Sequence, residues 1–221
     1  MLPPYCDAKM GRQNPADVEY WRARMGHENW IHMHHYCGGL IELNRYYRAA
    51  KGKQRPNLGN AVNEFTGMIN GWAPGFYLRP EAHLNRGRAY KFMRHDGKAL
   101  ADFTKALELD PGLTPASVEL ADLYKAAGKK QDALDVLKRA LERKPDSKVL
   151  KRRYAELGGD AASIVPILPA SPATPTAPSS AEPSVPASPA AEAPPTAKPP
   201  VELVDPKIGS PKNPYCRFCP D

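Results

Sequence analysis

Between Glu28 and Leu157 apolar side chains return every three or four positions, the spacing that places them on one face of an α-helix. Glu28 to Ala50 reads as one long helix with Trp30, Met33, Cys37, Leu40, Ile41 and Tyr47 on a common face. Leu58 to Asn70 offers it a shorter partner through Ala61, Phe65, Met68 and Ile69, with Lys51 to Pro56 as the turn between them. Glu81 to Arg94 and Lys98 to Leu109 form a second such pair. Gly71-Trp72-Ala73-Pro74-Gly75-Phe76 interrupts the period and reads as an aromatic linker. The pattern predicts an all-α fold.

A shift of 34 residues brings Tyr90 onto Tyr124, Ala99 onto Ala133, Ala106 onto Ala140 and Pro111 onto Pro145. Phe103 then falls on Leu137 and Gly87 on Ala121. Small residues at Gly87, Ala99 and Ala106 let two antiparallel helices approach closely. His95-Asp96-Gly97 and Ala127-Gly128-Lys129 supply the turns between them. Pro111 and Pro145 end each second helix, because proline cannot continue the backbone ladder and restricts the residue before it.

This Gly/Ala-x-x-Tyr, Ala-x-x-x-Phe/Leu-x-x-Ala-x-x-x-x-Pro pattern resembles the tetratricopeptide repeat family and is present twice, over 80–113 and 114–147. Lys148 to Leu157 reads as a closing helix, kept wet by Lys151, Arg152, Arg153 and Glu156, so the repeat region spans 80–158. Arg86 departs from the pattern, where the family has Leu or Trp; Leu120 follows it. Solenoids bury their stacking faces with about three units, so 1–79 is expected to supply a divergent first unit.

The resemblance implies a short helix-turn-helix solenoid whose first helices line a concave groove for a protein or peptide partner. Register places Leu84, Asn85, Arg88 and Lys91 in that groove from one repeat and Val118, Glu119, Asp122 and Lys125 from the next. Val149 and Arg153 follow from the closing helix. The subfamily that clamps terminal carboxylates uses a Lys-Asn set; Leu84, Arg88 and Glu119 stand at three of its positions, so no clamp is expected here.

Composition then limits the folded part. Of 25 prolines many crowd into the C-terminal third, and Thr174 to Pro200 is almost entirely Ala, Pro, Ser, Thr and Glu. Such a segment has too little apolar area to offset its ordering entropy, so 159–206 reads as a disordered spacer and 207–221 as a separate tip. The net charge is +7, with the excess before Asp160. The basic residues are interleaved with acids on helices and no nucleic-acid motif accompanies them, so a nucleic-acid partner is not expected. No apolar run has the length of a membrane span. Nothing in the pattern sets an oligomeric state.

Four cysteines remain. Their even number fits two disulfides in an oxidising compartment, Cys6 with Cys37 and Cys216 with Cys219; the competing reading makes Cys37 a buried apolar residue and leaves Cys6 free. Cys216-Arg217-Phe218-Cys219 is flanked by Pro214 and Pro220, so no helix starts there to activate a thiol, and no His follows for haem attachment. Zinc held by the four thiols, or by Cys216, Cys219 and two histidines, is the less favoured alternative. His32 and His35 lie three apart on one helical face and are the candidate metal pair, as are His34 and Cys37, but no carboxylate cluster completes a catalytic site.

No phosphate loop, catalytic triad or paired-carboxylate signature is present, so the chain is not read as an enzyme. The segments Leu2-Pro3-Pro4-Tyr5-Cys6, His34 to Leu40 and Asn213 to Pro220 resemble an uncharacterised group of bacterial envelope-associated repeat proteins. With the paired cysteines this implies a periplasmic location. No basic patch followed by an apolar stretch marks an export signal at Met1 to Cys6, so a leader would have been removed or lie upstream. The expected function is an interaction adaptor without a cofactor. The alternative is a metal- or thiol-responsive binding protein using the His/Cys cluster and the tip.

Overall fold

The computed structural model describes residues 2–11, 14–49 and 58–167, and these form ten α-helices with no strand among them. The helices are α1 (Pro4–Met10), α2 (Pro15–Met25), α3 (His27–Ile31), α4 (Met33–Arg48) and α5 (Gly59–Gly71). Then follow α6 (Arg79–Phe92), α7 (Asp96–Leu109), α8 (Thr114–Ala126), α9 (Lys130–Arg143) and α10 (Lys148–Glu156). A 3-10 turn over Ala161–Ser163 closes the described region. Antiparallel pairs α4/α5, α6/α7 and α8/α9 stack in sequence, and α4, α6, α8 and α10 form one contiguous row. This is an all-α helix-turn-helix solenoid.

What lets each pair close is a missing or minimal side chain at the crossing. A Cβ on Gly87 would lie 2.6 Å from the Phe103 ring, and one on Gly39 2.7 Å from the Phe65 ring. Phe65 and Phe103 are fully buried over these two glycines. In α8/α9 the crossing residues are Ala121 and Leu137, so a larger small residue meets a smaller large one. The same volume is divided differently, as dense interiors require.

The expected long helix from Glu28 to Ala50 is two helices, broken at His32. In an unbroken helix the Asn29 carbonyl would accept from Met33; here it accepts from the Trp72 indole at 3.0 Å, and the Asn29 side-chain oxygen accepts from Ala73 N at 3.0 Å. The aromatic linker thus captures the groups that would have continued the helix. Trp72 and Phe76 are themselves buried, and the Arg79 guanidinium ties the linker by donating to the Ile69 and Trp72 carbonyls.

The turn inside the first tetratricopeptide-like pair sits earlier than Gly97, which lies in the first turn of α7. The left-handed residue is Arg94 (φ 62°), one period before Gly128 (φ 74°). Both turns close alike, His95 N donating to Tyr90 O and Lys129 N to Tyr124 O at 2.9 Å. The Lys51–Pro56 turn, the Pro/Ala spacer and the 207–221 tip with Cys216 and Cys219 lie outside the described residues.

Candidate interaction surface

The inner row of helices would carry the groove, and its two halves differ. On α6, Leu84, Asn85 and Arg88 are 4%, 4% and 3% exposed, so the side chains expected to face a partner are enclosed. Asn85 sits against α4, its amide 3.4 Å from the Tyr36 hydroxyl, and its carbonyl accepts from Arg88 at 3.2 Å. Arg88 Nε donates to one Glu119 oxygen at 2.9 Å and Lys91 Nζ to the other at 2.8 Å. Burial by itself would raise the Glu119 carboxyl, but the cations of Arg88 and Lys91 outweigh it and hold the group below the usual carboxylate range. Arg88, Lys91 and Glu119 therefore form an internal strut between α6 and α8.

On α8 and α10 the same register positions stay accessible. Val149 is 45% exposed and Lys125 is exposed, while Val118 and Asp122 are half-buried. Arg153 reaches Asp122 at 3.6 Å and Glu156 at 3.2 Å, and its Nε is enclosed with no acceptor. This end offers apolar surface, one cation, and a guanidinium not fully matched by its neighbours.

The N-terminal end is organised around α1. Cys6 on α1 and Cys37 on α4 are joined in a disulfide, their Cα atoms 5.5 Å apart. Beside it Tyr5 packs on Tyr36 and edge-on to Trp21, with ring centroids 6.2 and 5.6 Å apart. Both phenols are buried and pushed well above the ordinary tyrosine range by that burial. The two helices of this end, α1 and α2, were not legible in the apolar period. Their marks were Pro4 and Pro15 in the first turn and Asn14, whose side chain accepts from Ala16 N.

The histidines are dispersed in role. His32 ends α3 and stacks on His35 at 6.4 Å, and His34 lies 4.0 Å from the same ring. His35 Nδ1 lies 2.6 Å from Glu64, and His34 Nδ1 2.8 Å from the Ile31 carbonyl. Cys37 faces the bridge to Cys6, not His34. Among the described residues no three His, Cys, Asp or Glu side chains converge as a metal ion needs. No helix among them is long and apolar enough to cross a membrane.

One cluster has its only sequence signal in Arg86. That guanidinium pairs bidentately with Asp102 (Nε to Oδ2 and Nη2 to Oδ1, both 2.8 Å), and Nη1 donates to the Thr66 hydroxyl at 3.0 Å. His83 Nδ1 adds a contact to Asp102 at 2.9 Å. Burial would raise the Asp102 carboxyl; hydrogen bonds from Arg86 and His83 outweigh it and keep it below its ordinary value. The departure at Arg86 is thus matched across the crossing by Asp102.

A stack of two-helix units with glycine crossings and prolines ending the second helices defines a repeat solenoid. Tetratricopeptide repeat models match residues 80–113 and 97–157. Residues 80–157 thus carry tetratricopeptide repeats. Sperm-associated antigen 1 of Mus musculus is 29% identical over 131 residues, and that of Rattus norvegicus 28% over 121. These alignments cover 58% and 54% of this chain but 14% of each relative, so the chain spans about one seventh of the length of the relatives it matches. Among solved structures it is similar to a thermophilic tetratricopeptide repeat protein of Thermus thermophilus (25% identity, TM-score 0.49, covering 68% of this chain and 75% of that one). It is also similar to the first such domain of Spaghetti bound to an HSP90 peptide (21%, TM-score 0.43, 55% and 93%).

Proposed function

We propose that this chain is a protein-interaction adaptor that receives a partner segment along the concave side of α8 and α10 and carries out no chemical step. The carrying observation is the split of the inner row. Leu84, Asn85 and Arg88 are enclosed, whereas Val118, Asp122, Lys125 and Val149 remain reachable. Alternating apolar and charged side chains on neighbouring helices suit an extended or helical segment bound through a few anchors. Arg153, with a side chain 33% exposed, can turn its terminal N–H groups towards a carbonyl or carboxylate from the partner.

The proposed setting is the bacterial periplasm, supported by the buried Cys6–Cys37 bridge, since such bonds persist in oxidising compartments. A photo-crosslinker at Val149 in the full chain tests the site in the native host. A discrete adduct is expected in the periplasmic fraction, lost with Lys125→Glu/Arg153→Glu and absent when the crosslinker is moved to Leu109. An adduct that survives the charge reversal, or that forms equally from Leu109, would refute the concave assignment.

A further inference from the structure

On the outer side of the second repeat, between α7 and α9, lies a cleft of about 260 Å³. Leu120, Val136 and Ala140 form its base and Leu107 one wall. Its origin is visible in the repeat register. Ser117, buried at this spot, stands one period after His83, and Val136 one period after Asp102. The first repeat fills the corresponding space with the His83–Asp102–Arg86 cluster; the second has a small hydroxyl and an apolar branch there, and a hollow results.

The rim supplies the second observation. Arg139 and Arg143 border the cleft and are exposed. Arg139 Nε reaches only the Asp135 carbonyl and Arg143 Nη1 only the Arg139 carbonyl, each at a weak 3.3 Å. Neither guanidinium is paired with a carboxylate among the described residues. The acid on the same rim, Glu108, is already held by Lys105 at 2.8 Å. Two unmatched guanidinium forks over an apolar floor are complementary to carboxylates attached to an apolar body. The cavity is smaller than the roughly 300–1,000 Å³ typical of small-molecule sites, which suits a single side-chain anchor.

We propose that this cleft is a second docking site, for an acidic–apolar peptide segment of a partner protein. One large apolar side chain sits on Leu120 and Val136, and flanking carboxylates engage Arg139 and Arg143. The site is separate from the concave face of α8 and α10 and stands whether or not that face binds a partner.

The probe is a synthetic acetylated hexapeptide, a central Leu-Phe with two glutamates on each side, titrated into the full chain with methyl-labelled Leu and Val. Shifts are expected at Leu107, Leu120 and Val136. Ser117→Leu, which fills the floor, is expected to abolish them, and Arg139→Glu/Arg143→Glu to weaken binding at least about tenfold, a loss of about 1.4 kcal/mol. A peptide with lysines replacing the glutamates should not bind. Absence of shifts, shifts confined to Val118 and Val149, equal binding by the lysine peptide, or full binding by the charge-reversed variant each overturns the proposal. Both arginines are exposed, so that variant folds even if Ser117→Leu does not.

Discussion

The two tetratricopeptide repeats share a backbone and differ in how they fill it. Between α6 and α7 the interior holds His83, Arg86 and Asp102; between α8 and α9 the same places hold Ser117, Leu120 and Val136. At the crossing, Gly87 and Phe103 become Ala121 and Leu137. In the turn, Arg94 becomes Gly128. In the interior and at the crossing each difference is paired with a second one nearby, so there the period is preserved by compensation and not by identity of residues.

Breaking one half of a pair should cost more than exchanging both. Removing one partner of a buried ion pair strands the other, a loss of about 3–5 kcal/mol. Arg86→Leu is therefore expected to lower stability by about that much in denaturant titration. The triple exchange His83→Ser/Arg86→Leu/Asp102→Val, which installs the residues of the second repeat, should recover most of it. An unrecovered triple variant would show that the compensation lies elsewhere.

The crossing is the next largest effect. Gly87→Ala drives a methyl to within 2.6 Å of the Phe103 ring, and overpacking of this kind costs about 1–3 kcal/mol. Adding Phe103→Leu should restore the thermal midpoint, because it reproduces the Ala121–Leu137 arrangement. A Gly87→Ala chain as stable as the parent would mean that the ring yields freely.

Acid offers a test without a variant. Asp102 and Glu119 both have carboxyls depressed in the folded state, so their contribution is present above the unfolded carboxylate value and is lost as pH falls through the folded value. Thermal midpoints should therefore drop on acidification below about pH 4. The triple variant should drop less, keeping only the Glu119 part; an equal drop would remove Asp102 from the account.

The smallest effect is at the turn. A side chain in the left-handed region is disfavoured, so Arg94→Gly is expected to add about 0.5–1 kcal/mol, read as a raised midpoint. No gain would indicate that Arg94 makes a compensating contact.

The repeat core was readable because Tyr90, Ala99, Ala106 and Pro111 return one period later, with Leu137 in the place of Phe103, and the helix period follows from local spacing. The break at His32 was not, because its cause is the Trp72 indole, 43 residues from Asn29. Helix α2 fully buries Met25 alone, so it carries almost no periodic signal. Register assigned the groove candidates to α6, α8 and α10 and carried no information on their depth. Enclosure of Leu84, Asn85 and Arg88 depends on what α4 and α8 present to them, and Arg88 reads as a surface cation until Glu119 is seen beside it. The His83–Arg86–Asp102 cluster announced itself only as an exception.

The covalent tie between Cys6 and Cys37 separates the molecule into parts with different requirements for assembly. Residues 80–157 hold no cysteine, so their closure involves no redox step. The N-terminal end is completed when an oxidant removes two electrons from a thiol pair 31 residues apart, so its maturation follows the electron balance of its surroundings. A chain made under reducing conditions would lack that bond and would hold α1 against α4 by noncovalent packing alone.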